Sequence, residues 1–412
     1  MKKISVAVVL PRYGANLGGG AEALSKALAE HMKKYDLVSN IEIWTTCATD
    51  HRTWANQFSP GKYEEEGITV QRFLVDERNT DIYVPLEISI QQGISLTVDQ
   101  QLDWLTHSVN SKGLYEHIAK EGEKFDVLLF APYLFATTFW GALIHPKRSV
   151  LIPCLHDEPY AYLQVFKHLF QEVRGFLFNA NPERELARTI YELEDLDSRS
   201  EFVGMGFYQS ASTAVQSQIN TPYLLYSGRK EQGKNLDLLI SYFQSYRQMN
   251  PESNLELVLI GSGEINFLEK LPEGVTDLGF VSELEKLSLM KGALALCQPS
   301  VNESFSIVLM EAWLQKTPVL VHARCAVTKD HALTSNGGLY FGNETEFALC
   351  VKELESSSAL RASLGQGGFD YVTSVFSWDA VIKRLIKAFH KLNILDEDTY
   401  EHSGSALSKN PH

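Results

Sequence analysis

The stretch YLLYSGRKEQGKNLDLLI, residues 223–240, sets an apolar strand, a charged glycine loop and a helical run in direct succession. Tyr223–Ser227 reads as a buried strand, being a short apolar run closed by a glycine turn. The loop Gly228-Arg229-Lys230-Glu231-Gln232-Gly233-Lys234-Asn235 then nearly spells the Walker A string G-x-x-x-x-G-K-[ST]. Asn235 stands where that string needs a Ser or Thr hydroxyl for magnesium, and no later apolar strand ends in an Asp to hold the same ion. A phosphate loop of that kind is therefore set aside. What survives is Arg229 and Lys234 beside a helix start, a planar fork and a point charge that together suit a diphosphate. Taken alone, the same loop reads as a solvated charged turn.

The strand–loop–helix unit recurs along the chain. Ile4–Leu10 is a strand followed by a helix over Ala21–Lys34, with Leu24, Ala27, Leu28 and His31 on one face. Ile41–Thr45, Val70–Phe73, Val127–Ala131 and Val150–Pro153 read as further strands, and Leu255–Ile260, Ala293–Cys297 and Pro318–Val321 extend the series past residue 240. Near-continuous apolar strands separated by helices indicate parallel sheets covered on both faces. So many strands exceed a comfortable open sheet. The expected fold is α/β, two doubly wound Rossmann-like domains facing across a cleft. The expected division is 1–204 with a returning helix over 379–395, then 205–378, then a polar tail over 396–412. The boundary falls in FVGMGFYQSAS, residues 202–212. Open parallel sheets hold ligands beyond the carboxyl ends of their strands, so the loops after strands carry the chemistry.

Of the 412 residues, 44% are hydrophobic and 21% charged, which excludes a disordered or fibrous chain. The balance of 37 basic and 51 acidic side chains, net −14, is spread over both halves. It argues against nucleic acid as a partner, because phosphate neutralisation needs a basic surface. The five cysteines, Cys47, Cys154, Cys297, Cys325 and Cys350, are odd in number and scattered. That argues against a disulfide framework or a zinc site and for a reducing, cytoplasmic compartment. Met1-Lys2-Lys3 with Ile4–Leu10 imitates a signal peptide, but Pro11-Arg12 follows and no small-x-small cleavage site appears. Residues 127–144, VLLFAPYLFATTFWGALI, are uncharged over 18 positions, the lower limit for a membrane span. Pro132, Thr137, Thr138 and Gly141 favour a strand followed by a short packed helix instead.

Three further loops carry candidate site residues. Gly14-Ala15-Asn16-Leu17-Gly18-Gly19-Gly20-Ala21-Glu22 joins the first strand to its helix. Glycines there permit positive φ and close backbone approach, and the helix N-terminus offers free N–H groups to an anion; a plain tight turn is the alternative. In Glu303-Ser304-Phe305-Ser306-Ile307-Val308-Leu309-Met310-Glu311-Ala312 the two carboxylates are eight positions apart. On a helix that is roughly 12 Å of rise and about 80° of rotation, and more if Glu303 precedes the helix. Glycosidase carboxylate pairs stand only about 5–9.5 Å apart. The longer spacing lets two acids reach two ends of an extended, hydroxyl-bearing ligand; the alternative is a helix with a favourable N-terminal acid and an exposed Glu. His156-Asp157 follows the strand Val150–Pro153, where a histidine either serves a ligand hydroxyl or is a satisfied structural group. Two D-x-D strings, Asp195-Leu196-Asp197 in an acidic helical stretch and Asp396-Glu397-Asp398 in the tail, follow no apolar strand and read as surface.

Taken in order, several of these pieces resemble glycosyltransferase family 4, retaining nucleotide-sugar enzymes of the two-Rossmann-domain GT-B type. They are the glycine-rich first loop, His156-Asp157, G-R-x4-K over 228–234, Gly261-Ser262-Gly263, E-x7-E over 303–311 and the helix after Phe376-Ser377-Trp378. The resemblance runs over nearly the whole chain. E-x7-E with its flanking Pro299-Ser300 is its most specific string, and Ser335-Asn336-Gly337-Gly338-Leu339-Tyr340 is similar to a subset of the family. The resemblance implies that Arg229 and Lys234 hold the nucleotide diphosphate and Glu311 the ribose diol. It implies that Glu303 binds donor-sugar hydroxyls, helped by the backbone N–H groups of Phe305, Ser306, Ile307 and Val308. Gly228, Gly261, Gly263 and Val281 complete the implied nucleotide-sugar contacts. His156 would hydrogen-bond the reacting sugar, and Gly19 and Gly20 would let the first loop approach the donor phosphate or the acceptor. Glycine is common in the family where this chain has Ser306, and the resemblance implies that a side chain there crowds the donor.

The expected activity is retaining, metal-independent transfer of a hexose from a UDP-sugar, UDP-glucose or a similar UDP-hexose, to a sugar or lipid-linked sugar acceptor, for polysaccharide or glycolipid synthesis. No cofactor or divalent metal is expected. The loops His51–Lys62 and Arg78–Gln101 are the expected acceptor side, and the N-terminal domain is a candidate for peripheral contact with the inner face of a membrane. A nucleotide-sugar epimerase of the same architecture and a non-catalytic sugar-binding protein of two lobes are the alternatives.

Overall fold

Runs rich in valine, isoleucine and leucine form strands that are buried on both faces, as parallel sheets require. The computed structural model describes residues 3–14, 19–209 and 219–396. The chain divides into two compact units, Met1–Gly206 with Trp378–His412, and Phe207–Ser377. Among the described residues the first unit contains β1 (Ile4–Leu10), β2 (Val38–Thr46), β3 (Gly61–Glu65), β4 (Ile68–Phe73), β5 (Val127–Phe130), β6 (Ser149–Leu151), β7 (Gly175–Phe178) and β8 (Ser200–Phe202). They form one sheet in the order β3-β4-β2-β1-β5-β6-β7-β8. Every pairing is parallel except the β3–β4 edge hairpin. The second unit contains β9 (Tyr223–Ser227), β10 (Glu256–Ile260), β11 (Val275–Asp277), β12 (Ala295–Gln298), β13 (Val319–His322) and β14 (Gly338–Phe341). These form an all-parallel sheet in the order β11-β10-β9-β12-β13-β14.

The apolar strands stand where their sequence places them, within a residue or three at each end. Five strands escape a reading by hydrophobic pattern. β3 is a polar edge, β8 and β11 have three residues each, β7 is opened by a glycine, and β14 lies inside the glycine-bearing stretch Ser335–Tyr340. Residues 127–144 fold as β5 and the separate helix Ala136–Ile144. Among the described residues no helix is long and apolar enough to cross a membrane.

The last helix, Trp378–Lys391, packs on the first sheet. Val381, Leu385, Ala388 and Phe389 share a core with Val6 and Val8 of β1 and with Leu24 and Leu28 of the helix Gly20–Lys34. His31 lies flat on Trp378, ring centroids 3.4 Å apart and planes within 2°. Gly206 leaves room for that indole, since a Cβ there would stand 2.3 Å from Trp378. Ala15–Gly18 of the first glycine loop, Ser210–Ser212 of the expected boundary, and the tail from Glu397, with most of its D-x-D string, lie outside the described residues.

Candidate functional site

In the second unit the strand order turns between β9 and β12. Loops that leave strands at such a reversal flank the ligand crevice of an open parallel sheet. The loop after β9 carries Arg229 and Lys234, and the loop after β12 carries Glu303. Lys234 Nζ donates to Glu303 Oε1 at 2.7 Å, with 25% and 12% of the two side chains exposed. Asn235, the residue that breaks the Walker string, joins the same loops. It takes a left-handed backbone, φ 51°, ahead of the helix Leu236–Met249. Its Nδ2 donates to Pro299 O at 3.2 Å.

Arg229 lies further out, 3.2 Å from Glu231 Oε1. Its carbonyl accepts a 2.7 Å hydrogen bond from the Tyr226 hydroxyl. Burial raises the pKa of Tyr226, and the carboxylates of Glu303 and Glu231 raise it further. These two acids therefore act on one phenol at the end of β9.

The glycine loops meet backbone to backbone. Gly228 N donates to Ile260 O at 3.1 Å, and Lys230 N to Ser262 O at 2.9 Å. Gly261, at φ 123°, permits this approach, because a Cβ there would stand 2.0 Å from Gly228 O. Gly263 also has positive φ, 99°. Gly261 N donates to Gly279 O at 2.8 Å, which brings in the β11 loop with Val281 two residues on. Lys230 is buried and locks the arrangement, donating to Gly261 O at 2.8 Å and pairing with Asp277 at 2.7 Å.

The helix of the E-x7-E string spans Ile307–Leu314, so Glu303 stands in the loop before it and only Glu311 is helical. The separation is thus the longer of the two expected. Phe305 anchors the loop, its ring centroid 6.2 Å from that of Phe207, 5.7 Å from His331 and 5.1 Å from Phe376. Ser306, the N-cap residue, has φ 66° and ψ 76°. Glu311 pairs with Lys286 of the helix Glu283–Gly292 at 2.8 Å, each side chain 20% exposed. Burial raises the pKa of Glu311, and the Lys286 ammonium offsets only part of that rise.

In the first unit, Gly19 and Gly20 begin the helix that follows β1. The expected positive φ is not found at Gly19, which is extended at −171°. A Cβ on Gly19 would meet only the carboxylate tip of Glu22, and one on Gly20 would meet nothing within 4 Å. His156 follows β6, with Nδ1 3.6 Å from Glu158 Oε1. Its loop is held by Glu183, whose buried carboxylate accepts from Leu155 N at 2.8 Å and Asn179 N at 2.6 Å. Asp195-Leu196-Asp197 lies on a turn, not on the expected helix. The helix Asn181–Tyr191 stops at Glu192, which is left-handed at φ 53°. Arg199 and Arg188 pair with the two aspartates at 2.9 and 2.6 Å.

Lys286, Lys230 and Glu183 were not singled out by sequence. Lys286 lies 25 positions before its partner Glu311, and no motif links them. Lys230 stood inside the quoted loop, yet nothing in its spacing marks it as the buried member. Glu183 had one legible signal, an acid in the first turn of a helix that follows a strand.

Residues 211–370 match the family model described as Glycosyl transferases group 1. An uncharacterized glycosyltransferase of Methanocaldococcus jannaschii is 28% identical over 184 residues, 43% of this chain and 46% of that protein. A D-inositol 3-phosphate glycosyltransferase of Stackebrandtia nassauensis is 28% identical over 179 residues, 40% of each chain. The chain thus matches less than half the length of these curated relatives. Sucrose-phosphate synthase from Thermosynechococcus elongatus superposes with a TM-score of 0.67 at 15% identity, covering 94% of this chain and 99% of that one. Anabaena HepE in complex with UDP and glucose gives 0.65 at 15%, covering 93% and 99%. The E. coli trehalose-6-phosphate structure bound with UDP-2-fluoro glucose gives 0.69 at 12%, covering 95% and 100%. At such identities the likeness is one of fold. The chain therefore has the GT-B fold, with two Rossmann-like units, and its residues 211–370 carry the match to glycosyl transferases of group 1.

Proposed function

We propose that the protein is a retaining glycosyltransferase of family 4 that moves a hexose from a nucleoside-diphosphate sugar, UDP-glucose or a similar UDP-hexose, to a sugar or lipid-linked sugar acceptor. The observation that carries this reading is the pairing of Lys234 with Glu303 on loops that flank the strand reversal, next to the start of the helix Ile307–Leu314. It is supported by the match of residues 211–370 and by solved relatives of the fold that hold UDP with glucose or UDP-2-fluoro glucose.

In this reading Arg229 and Lys234 bind the diphosphate. The backbone N–H groups of Phe305, Ser306, Ile307 and Val308 add the partial positive charge of a helix start. Breaking the sugar–phosphate bond builds negative charge on the leaving diphosphate, and fixed cations and dipoles stabilise it without a metal. A ligand phosphate competes with Glu303 for Lys234, which frees the Glu303 carboxylate to accept from donor-sugar hydroxyls. Glu311, paired with Lys286, accepts from both ribose hydroxyls. Gly228, Gly261, Gly263 and Val281 offer backbone to the nucleoside and phosphates. In the first unit His156 hydrogen-bonds the reacting sugar, and Gly19 and Gly20 give the first loop access to donor phosphate or acceptor. The acceptor enters on the side the diphosphate leaves and gives its proton toward it. Peripheral membrane contact through the first unit belongs to the same proposal.

A thermal-shift screen of UDP-, GDP- and ADP-sugars with chelator present tests it, because a ligand of the folded state stabilises by mass action. A shift with the UDP-sugars is expected, unchanged by the chelator. No shift with any donor contradicts transferase and epimerase alike. Conversion of the sugar without an acceptor favours the epimerase.

A further inference from the structure

We propose that the turn after His156 holds the acceptor, and that the acceptor's contacted end is an uncharged sugar. The ring of Tyr162 carries one face of that sugar, and the carboxylate of Asp157 accepts from its hydroxyls. The inference rests on the transfer reading above, which leaves the charge of the acceptor open.

The loop after β6 runs through His156-Asp157-Glu158 into a single 3₁₀ turn, Pro159–Tyr162. It is fixed from two sides. Glu158 Oε1 accepts from the hydroxyl of the buried Tyr133 at 3.3 Å. Tyr160 donates its hydroxyl to Glu87 of the helix Thr80–Gln91, and Gln91 Nε2 donates to the Tyr160 oxygen at 3.0 Å. The Tyr160 ring stacks on Trp104, centroids 5.8 Å apart, and the indole Nε1 donates to the other Glu87 oxygen at 2.7 Å. Tyr162 is held differently. It is 59% exposed, yet its hydroxyl donates to Asp157 Oδ1 at 2.7 Å. A braced turn thus keeps one aromatic ring in solvent, clipped to an exposed carboxylate that follows His156 directly.

In the transfer reading an acceptor hydroxyl oxygen bonds to the donor-sugar carbon as the bond to the diphosphate breaks, and the hydroxyl proton passes toward the diphosphate. The acceptor's first ring therefore lies beside the sugar that His156 serves. Tyr162 and Asp157 are exposed side chains of that same loop. A tyrosine ring offers rigid contact area at low entropic cost, and the clip to Asp157 lowers that cost further. A sugar ring has an apolar C–H face and a hydroxyl edge. The aromatic ring suits the face, and Asp157, an acceptor-only group with lone pairs beyond those used by Tyr162, suits the edge. Charge then defines the class. Asp157, Glu158 and Glu87 are met by phenol, indole and amide donors, with His156 Nδ1 3.6 Å from Glu158. Among the described residues none of the three pairs with a lysine or arginine. An acceptor phosphate or carboxylate at this turn meets repulsion, whereas neutral hydroxyls do not.

Release of nucleoside diphosphate from the donor that shifts the melting, expected to be UDP-glucose, tests this with two sets of acceptors, neutral p-nitrophenyl hexosides and hexose phosphates. The neutral glycosides should accelerate release and the phosphates should not. Tyr162→Ala should raise the acceptor KM about tenfold. Its affinity for the donor, titrated calorimetrically on the same protein, should match wild type, which also shows the variant folded. Tyr162→Phe keeps the ring and loses the clip, and should raise the acceptor KM less. Asp157→Asn removes the charge and should admit the hexose phosphates. The proposal is overturned if no neutral glycoside accelerates release, if the phosphates serve wild type as well as the neutral sugars do, or if Tyr162→Ala leaves the acceptor KM unchanged. Each of those results leaves the nucleotide-sugar reading standing while wild type binds the donor. Failure of wild type to bind any UDP-, GDP- or ADP-sugar overturns that reading and the acceptor turn with it.

Discussion

Glu183 is a carboxyl group sealed beneath the loop that carries His156, and its chemistry makes a prediction at the scale of one residue. Burial raises its pKa to about 7 from an ordinary 4.5, although the amides of Asn179 and Leu155 and the charge of His156 pull the other way. The folded protein therefore holds this proton more tightly than the unfolded chain does. The resulting contribution to stability is full below about pH 4.5 and is lost as the pH rises through about 7. Glu183→Gln keeps the shape and removes the titration. Urea unfolding of both proteins should show the wild-type advantage shrinking by on the order of 3 kcal/mol between pH 4.5 and pH 8. A difference that stays constant with pH would show that Glu183 does not titrate in this window. At the same scale, Glu311 is tied to a second residue, Lys286. Burial raises its pKa, and the ammonium at 2.8 Å opposes that rise without cancelling it.

Among the elements, the helix Ile307–Leu314 is short and depends on its seat. The helix Ser358–Val375 brings three glycines against that region. A Cβ on Gly365 would stand 1.9 Å from Lys316 O, one on Gly367 2.6 Å from Ser335 O, and one on Gly368 1.9 Å from the Trp313 ring. Gly365→Ala therefore forces backbone apart and should destabilise the protein by about 1–3 kcal/mol in urea unfolding. No loss would mean that the two segments do not pack this closely in solution. Much of this layer was legible in the chain. Tyr223–Ser227 and Ile4–Leu10 are apolar enough to declare buried parallel strands, and glycines and charges mark the loops that follow. Edge strands such as Val275–Asp277 were not legible, because three residues show no period and their pairing is set by a neighbour. The site was legible as a set of loops but not as a set of pairs. Nothing in spacing says that Lys234 meets Glu303, 69 positions away, or that Ser306 would be left-handed with an unmet hydroxyl.

For the whole molecule, the net charge of −14 acquires a local meaning. In the second unit Arg229, Lys230, Lys234 and Lys286 each face a carboxylate, namely Glu231, Asp277, Glu303 and Glu311. An acidic chain thus neutralises each of these cations, and in the proposed reading an anionic ligand binds by exchange of partners. Past this unit the chain returns, as the helix Trp378–Lys391, to the sheet of the first unit. The most direct measurement is calorimetric titration of UDP-glucose into wild type and Lys234→Ala, with a chelator present throughout. Wild type should bind, and Lys234→Ala should bind about 10- to 100-fold more weakly, the loss of a charge-assisted contact to phosphate. Equal affinity of the two proteins, or wild-type binding that vanishes with the chelator, would contradict a metal-free diphosphate site built on Lys234.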